Sequence, residues 1–276
     1  MKKKKSSAPW RCLINLREAT ILLVDDEPDL LEIFGCWLDS HSCKLYRASN
    51  GEEALAVLKA TSIDLLVSDV RMPVMDGIAL VRRLAELDKS VPSVVFVSGF
   101  GDIDQREMYS LGVEAFLAKP VSRENFIDVL KRAAAERESL WLNPVASTSR
   151  QSLVLDAQRI SEIANRNPII LGRGGFSAHA EESLTLGKVS FQCKFGPGEQ
   201  EMSGQGIVRW YSRADQAVGI EFSFLDPPCR SWVLKEITAA NPRSFIPNHW
   251  KPLQTNGVNG IGIPGEVQVN SSIMKA

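Results

Sequence analysis

The chain has 276 residues, a formal net charge of −1, 44% hydrophobic residues and 24% charged residues. That length suggests about two domains, and the composition is that of a globular protein. Near-neutral charge argues against a general nucleic-acid binder, no apolar run reaches the roughly 18 residues of a membrane span, and five scattered cysteines without CxxC spacing fit a reducing cytoplasm better than a disulfide framework or zinc site.

Residues 1–17 open with four lysines, Lys2 to Lys5, followed by a polar stretch with Pro9 and Arg11, so they read as a disordered basic leader and not an export signal. No apolar anchor accompanies the lysines, so stable membrane insertion is not expected. Residues 20–24 form a short apolar strand that ends in Asp25, Asp26 and Glu27. Pro28 suits the first position of a helix, and Leu30, Leu31, Ile33, Phe34, Trp37 and Leu38 recur at helical spacing behind it. The bland role for the acidic cluster is capping, worth roughly 0.3–1 kcal/mol per charge. Adjacent carboxylates repel one another, however, and a cation would offset that cost.

Residues 43–48 read as a second strand, and residues 50–60 as a helix opened by Asn50 and Gly51. The third strand, Leu65 to Val67, is a buried apolar run that ends in Ser68 and Asp69 before a loop broken by Pro73 and Gly77. Residues 77–88 carry Ile78, Leu80, Val81, Leu84 and Leu87 on one helical face. A fourth strand over residues 92–97 ends in Ser98, and a short helix spans residues 103–111. A fifth strand over residues 113–118 ends in Lys119 and Pro120, and a last helix runs over residues 123–140.

Five alternations of strand and helix predict a parallel sheet covered on both faces. Ligands of such sheets bind at the carboxyl ends of the strands. Asp25, Asp26, Asp69, Ser98 and Lys119 all fall there. This constellation resembles the receiver domain of two-component response regulators over residues 18–140. The matching residues are Val24-Asp25-Asp26-Glu27-Pro28, Ser68-Asp69-Val70-Arg71-Met72-Pro73, Met75-Asp76-Gly77 and Lys119-Pro120.

The resemblance implies a flavodoxin-like, doubly wound α/β sheet of order 2-1-3-4-5. It implies that Asp69 takes a phosphoryl group from a sensor histidine kinase or phosphotransfer protein. Asp26, Asp69 and the carbonyl of Arg71 would hold Mg²⁺, with Asp25 acting through water; hard oxygen ligands suit that ion. Lys119 would pair with the phosphoryl group, Ser98 would donate a hydrogen bond to it, and Phe116 holds the position of an aromatic switch. Plain strand packing is the alternative for Phe116. Beyond self-catalysed phosphotransfer and dephosphorylation no enzyme activity is expected. A homodimer through the receiver is an open alternative.

Residues 141–151 contain Pro144 and a run of Ser and Thr and read as a linker. No helix-turn-helix pattern follows, so DNA is not an expected partner. From there the pattern is β-rich, with strands over residues 168–171, 176–178, 188–195, 206–211 and 217–222, then a helix from Pro227 carrying Trp232, Val233, Leu234 and Ile237. Residues 152–245 resemble a PilZ domain, a small β-barrel with a closing helix. That resemblance implies cyclic di-GMP binding through an RxxxR pair and a [DN]xSxxG element. Here Ile170 and Gly172 replace the polar residues of the second element, and Arg159 and Arg166 are seven apart. Arg159, Arg166 and Arg173 remain as an atypical phosphate site, set against the commoner solvated arginine.

Residues 246–276 are rich in Asn, Gly, Gln and Ser and read as a disordered tail. The chain as a whole reads as a cytoplasmic response regulator with a PilZ-like output. Its rivals are a cyclic di-GMP effector gated by phosphorylation and a phosphate-sink receiver.

Overall fold

The computed structural model describes residues 16–84, 86, 92–99, 104–135, 137–142, 144, 151–156, 169–180, 183–195, 200–248 and 261–262. After a 3-10 turn at Leu16–Glu18, the first half follows the expected alternation. It comprises β1 (Thr20–Val24), α1 (Pro28–Asp39), β2 (Lys44–Ala48), α2 (Gly51–Ala60), β3 (Leu65–Asp69), α3 (Gly77–Leu84), β4 (Ser93–Ser98), α4 (Gln105–Leu111), β5 (Val113–Ala118) and α5 (Arg123–Ala134). The strands form one sheet of order β2-β1-β3-β4-β5, and every pairing is parallel. This is the flavodoxin-like receiver fold.

Local chemistry sets the helix starts. Asn50 accepts from the N–H groups of Glu52 and Glu53 at the head of α2. Asp104 accepts from Arg106 and Glu107 at α4, and Ser122 from Asn125 at α5. Each cap satisfies donors that the helix itself leaves free. Central β3 is buried at all five positions, because helices cover both faces of the sheet. One face packs Phe34, Leu38, Phe126 and Leu130, the other Leu58, Leu80, Phe96 and Met108.

The single helix expected over residues 123–140 is interrupted. Ala135 is extended, with φ −72° and ψ 152°, and a separate turn, α6 (Arg137–Leu140), follows. Packing explains the break. It delivers Trp141 into the core of the second half, 1% exposed, with its ring edge-on to Phe222 at 5.1 Å. Trp141, counted with the linker by its neighbours' composition, is therefore a core residue.

The second half contains β6 (Ser152–Asp156), β7 (Ile169–Leu171), β8 (Gly175–His179), β9 (Gly187–Phe195), β10 (Gln200–Ser212), β11 (Ala217–Leu225), α7 (Pro227–Ala240) and β12 (Ile261–Gly262). The strands pair in the order β12-β7-β8-β11-β10-β9-β6. Among the described residues no pairing joins the two ends. All neighbours are antiparallel except β6 and β9, which run parallel. Phe176, Phe191 and Phe222 pack together under Val233 and Ile237 of α7.

Three features differ from expectation. β10 begins six residues before Gly206, because Met202 alternates inward within a polar-looking stretch and a bulge between Gln205 and Gly206 absorbs the register change. β6 is an unforeseen edge strand with Leu153 and Leu155 facing in. The tail expected from residue 246 starts with a buried residue: Ile246 is 0% exposed, and Phe245 before it is also buried. Residues 1–15 lie outside the described residues, as does most of the expected tail. No described helix is long and apolar enough to cross a membrane.

Candidate functional site

Strands β1, β3 and β5 end on one edge of the sheet, with β4 between β3 and β5, and residues at or just beyond their ends meet. The ammonium of Lys119 lies 3.0 Å from Asp25 Oδ2, 2.9 Å from Asp69 Oδ1 and 3.5 Å from Glu27 Oε1. The backbone fixes the carboxylates. Asp25 Oδ1 accepts from Glu27 N–H at 3.0 Å, and Asp69 Oδ2 accepts from Arg71 N–H at 2.6 Å. Asp25 and Asp69 are both buried, whereas Asp26 is exposed. Asp26, Arg71, Pro73, Asp76, Ser98 and Gly99 line an open hollow of about 550 Å³ beside them.

Gly77 is required by this geometry. A Cβ there would stand 2.3 Å from the carbonyl oxygen of Asp69. The turn before it places Val74 at φ +69°, with Met75 N–H donating to Pro73 O at 2.8 Å. That is a γ-turn centred on a β-branched residue.

Burial raises the Asp69 carboxyl above its ordinary range, opposed by the hydrogen bond and charge of Lys119. Burial works to lower Lys119, but its bonds to Asp69 and Asp25 outweigh it and hold the ammonium above the usual lysine value. Asp25, Asp26 and Asp69 against one ammonium leave the pocket net negative. Their hard oxygens suit a divalent cation. Among the described residues, no three His, Cys, Asp or Glu side chains already converge closely enough to hold an ion between them. The salt bridges to Lys119 draw Asp25 and Asp69 toward the ammonium, while Asp26 stands at the rim.

Ser98 sits at the edge of the hollow with its hydroxyl donating to Gly99 O at 2.9 Å. Phe116 is half-buried on β5, 6.3 Å from Phe96 and edge-on to Tyr109 of α4 at 5.3 Å. Tyr109 was not singled out by its sequence setting in a polar seven-residue helix. It joins Phe116 to Trp210, Phe245 and Ile246 of the second half. Burial pushes its phenol up to about 12. Tyr109 of α4 and Phe116 of β5 thus pack against the chain's own second half.

Of the three arginines expected to form a phosphate site, only Arg173 lies among the described residues. Arg159 and Arg166 lie outside the described residues. Arg173 points into the receiver half. It is 7% exposed, donates to Gly112 O at 2.8 Å and lies 3.5 Å from Glu114. Its cause is local: the β7–β8 turn is pressed against Phe245, and a Cβ at Gly174 would lie 1.9 Å from that ring. Gly172, where the resemblance would place serine, faces the carbonyl of Phe245.

The chain matches the response regulator receiver domain over residues 21–131. It is 31% identical over 165 residues to the transcriptional regulatory protein GlrR of Escherichia coli (strain K12), covering 58% of this chain and 37% of that one. It is 33% identical over 119 residues to an uncharacterized 14.6 kDa protein in the sodA1 3' region of Leptolyngbya boryana, covering 42% of this chain and 91% of that one. A solved response regulator receiver protein from Pseudomonas putida is 28% identical, with 42% of this chain and 97% of that chain covered and a TM-score of 0.39. The chain spans about a third of the length of the first curated relatives it matches. Through residues 21–131, with their parallel sheet and acidic strand-end pocket, the chain belongs to the response regulator receiver domain family.

Proposed function

We propose that Asp69 is the phosphoacceptor of a two-component phosphorelay and that the second half is a PilZ-like output that does not take cyclic di-GMP in the ordinary way. The observation that supports the first part most directly is the pairing of a buried carboxylate with Lys119 at 2.9 Å beside an open hollow. An Asp69 carboxylate oxygen attacks the phosphorus of a partner's phosphohistidine. The new O–P bond forms as the N–P bond breaks, and the imidazole departs with the electron pair. Hydrolysis later returns the carboxylate and inorganic phosphate.

Phosphoryl transfer depends chiefly on positioning and on neutralising oxygen charge. Lys119 supplies a compact positive charge, and Ser98 a donor at the rim. Asp26, Asp69 and the Arg71 carbonyl would hold Mg²⁺, with Asp25 acting through water, and the ion would offset charge on the phosphoryl oxygens. The transcriptional role in the relatives' names is not carried over to this chain, which matches only their receiver-length portion.

The PilZ-like reading of the second half is supported by its antiparallel strands and closing helix α7. The burial of Arg173 and the covering of the β7–β8 turn speak against a dinucleotide there. The test of the phosphoacceptor is incubation with acetyl phosphate followed by Phos-tag electrophoresis. The parent chain shifts, and Asp69→Asn or addition of a chelator abolishes the shift. Equal labelling of Asp69→Asn refutes the assignment.

A further inference from the structure

The third carboxylate at Lys119 belongs to Glu27, and its position in the chain is an uncommon one for glutamate. Glu27 stands at the N-cap of α1, with extended backbone at φ −91° and ψ 104° and Pro28 directly after it. Its carbonyl accepts from Leu30 and Leu31 N–H at 3.1 and 3.3 Å, so it starts the helix through its backbone. Ser, Thr, Asp and Asn are preferred at such positions, because their short side chains reach the first free N–H groups of the helix. The Glu27 side chain makes no cap bond. It is 64% exposed, and its Oε1 lies 3.5 Å from the Lys119 ammonium. The neighbouring bonds set that direction. Glu27 N–H donates to Asp25 Oδ1 at 3.0 Å, and Asp25 Oδ2 takes the same ammonium at 3.0 Å.

We propose that Glu27 is a positioning residue of the phosphorylation site: it shares the Lys119 ammonium, competes with the phosphoryl group for it, and so loosens the hold on phosphoryl while favouring Mg²⁺. The inference rests on Asp69 being the phosphoacceptor. Before transfer, Lys119 has two short partners, Asp25 and Asp69, and one longer one, Glu27. Phosphorylation of Asp69 removes one carboxylate charge and sets a phosphoryl group of about −1.5 to −2 charge beside the same ammonium. The ammonium then divides between Asp25, Glu27 and the phosphoryl oxygens. Glu27 can follow it, because its carboxylate has no cap bond to break.

A negative charge at this point acts in opposite senses on the two ligands. It attracts a divalent cation and repels an anion. Neutralising Glu27 therefore weakens Mg²⁺ and strengthens a phosphoryl analogue. The bland role for Glu27 is to complement the α1 dipole. Loss of that role would disturb the start of α1, and with it Asp25 and Asp26, and would weaken both ligands together.

The test uses the full chain with Glu27→Gln and Glu27→Asp. The glutamine keeps the length and removes the charge. The aspartate keeps the charge and can cap, but it is too short to hold the contact with Lys119. Each protein is titrated by calorimetry with Mg²⁺ alone, then with beryllofluoride at saturating Mg²⁺. Glu27→Gln should bind Mg²⁺ about two- to fivefold more weakly than the parent and beryllofluoride about two- to fivefold more tightly, the size of effect an exposed ion pair carries. Glu27→Asp should bind Mg²⁺ as the parent does and beryllofluoride as tightly as Glu27→Gln. Beryllofluoride binding that is unchanged or weaker in Glu27→Gln, or Mg²⁺ binding that is not weakened, overturns the proposal and leaves the phosphoacceptor reading standing. Tighter beryllofluoride binding in Glu27→Gln but not in Glu27→Asp overturns the contact with Lys119 as its cause. If the folded parent binds no beryllofluoride, both readings fall together.

Discussion

Asp69 carries a cost of burial. A carboxyl whose folded pKa lies above its unfolded value adds stability only at low pH, and that stability is lost as pH rises through the folded pKa. Burial is the leading cause here, and Lys119 offsets it only in part. Asp69→Asn should therefore unfold at a higher temperature than the parent at pH 7, since Lys119 keeps Asp25 at 3.0 Å. The difference should shrink as pH falls through the carboxylate range and vanish below about pH 3, where both forms are neutral. Thermal unfolding of the two proteins from pH 7 to pH 3 checks the sign; a less stable variant at pH 7 contradicts it. Val74 is a second strained residue. It is 76% exposed, so no core contact supports its left-handed backbone. Glycine enters that region without a Cβ clash. Val74→Gly should raise stability by about 1 kcal/mol, read from the urea midpoint. The place of Asp69 at the end of β3 was legible in the sequence because a charged residue ending an apolar strand is conspicuous. The strain at Val74 was not, because nothing in Pro73-Val74-Met75 reveals the sign of φ.

At the scale of elements, the receiver strands were readable because each is a short apolar run closed by a polar residue. The second half was harder to read for a physical reason: its signals depend on partners distant in sequence. Met202 becomes a core residue only because β9 places Cys193 opposite it. Trp141 looks like linker until Phe222 is beside it. The same holds for charge. Glu221 on β11 is buried and receives Arg209 Nε of β10 at 2.6 Å and the guanidinium of Arg132 on α5. One carboxylate thus joins two strands of the second sheet to a helix of the first. Glu221→Gln would leave Arg209 without its anion in a mostly dry site, at a cost of about 3 kcal/mol. Arg132 is half-exposed and Arg209 would keep its partner, so Arg132→Ala should cost only about 1 kcal/mol. Urea unfolding followed by tryptophan fluorescence separates them. Equal losses would mean that Arg132, and not Arg209, is the partner on which the carboxylate depends.

The whole molecule brings its two sheets together through the face that links Phe116, Tyr109, Trp210 and Phe245. That arrangement has a consequence for ligands of the second half. In the sequence, Arg173 stands with Arg159 and Arg166 as the remaining candidates for a phosphate clamp. In the fold, its guanidinium faces Gly112 and Glu114 of the receiver, and the adjoining glycines are covered by Phe245. A dinucleotide at the β7–β8 turn would have to displace both Phe245 and the receiver residues that hold Arg173. Each lost polar contact typically weakens binding by roughly 0.5–1.5 kcal/mol, and about 1.4 kcal/mol is tenfold in affinity. Calorimetric titration of the full chain with cyclic di-GMP should therefore show no binding in the micromolar range. Repeating it with beryllofluoride tests whether closure alone is responsible. Binding that appears only then, and disappears in Arg173→Ala, would make the second half a dinucleotide sensor gated by the receiver. Micromolar binding to the unmodified chain would mean that the ligand site lies elsewhere than the covered turn.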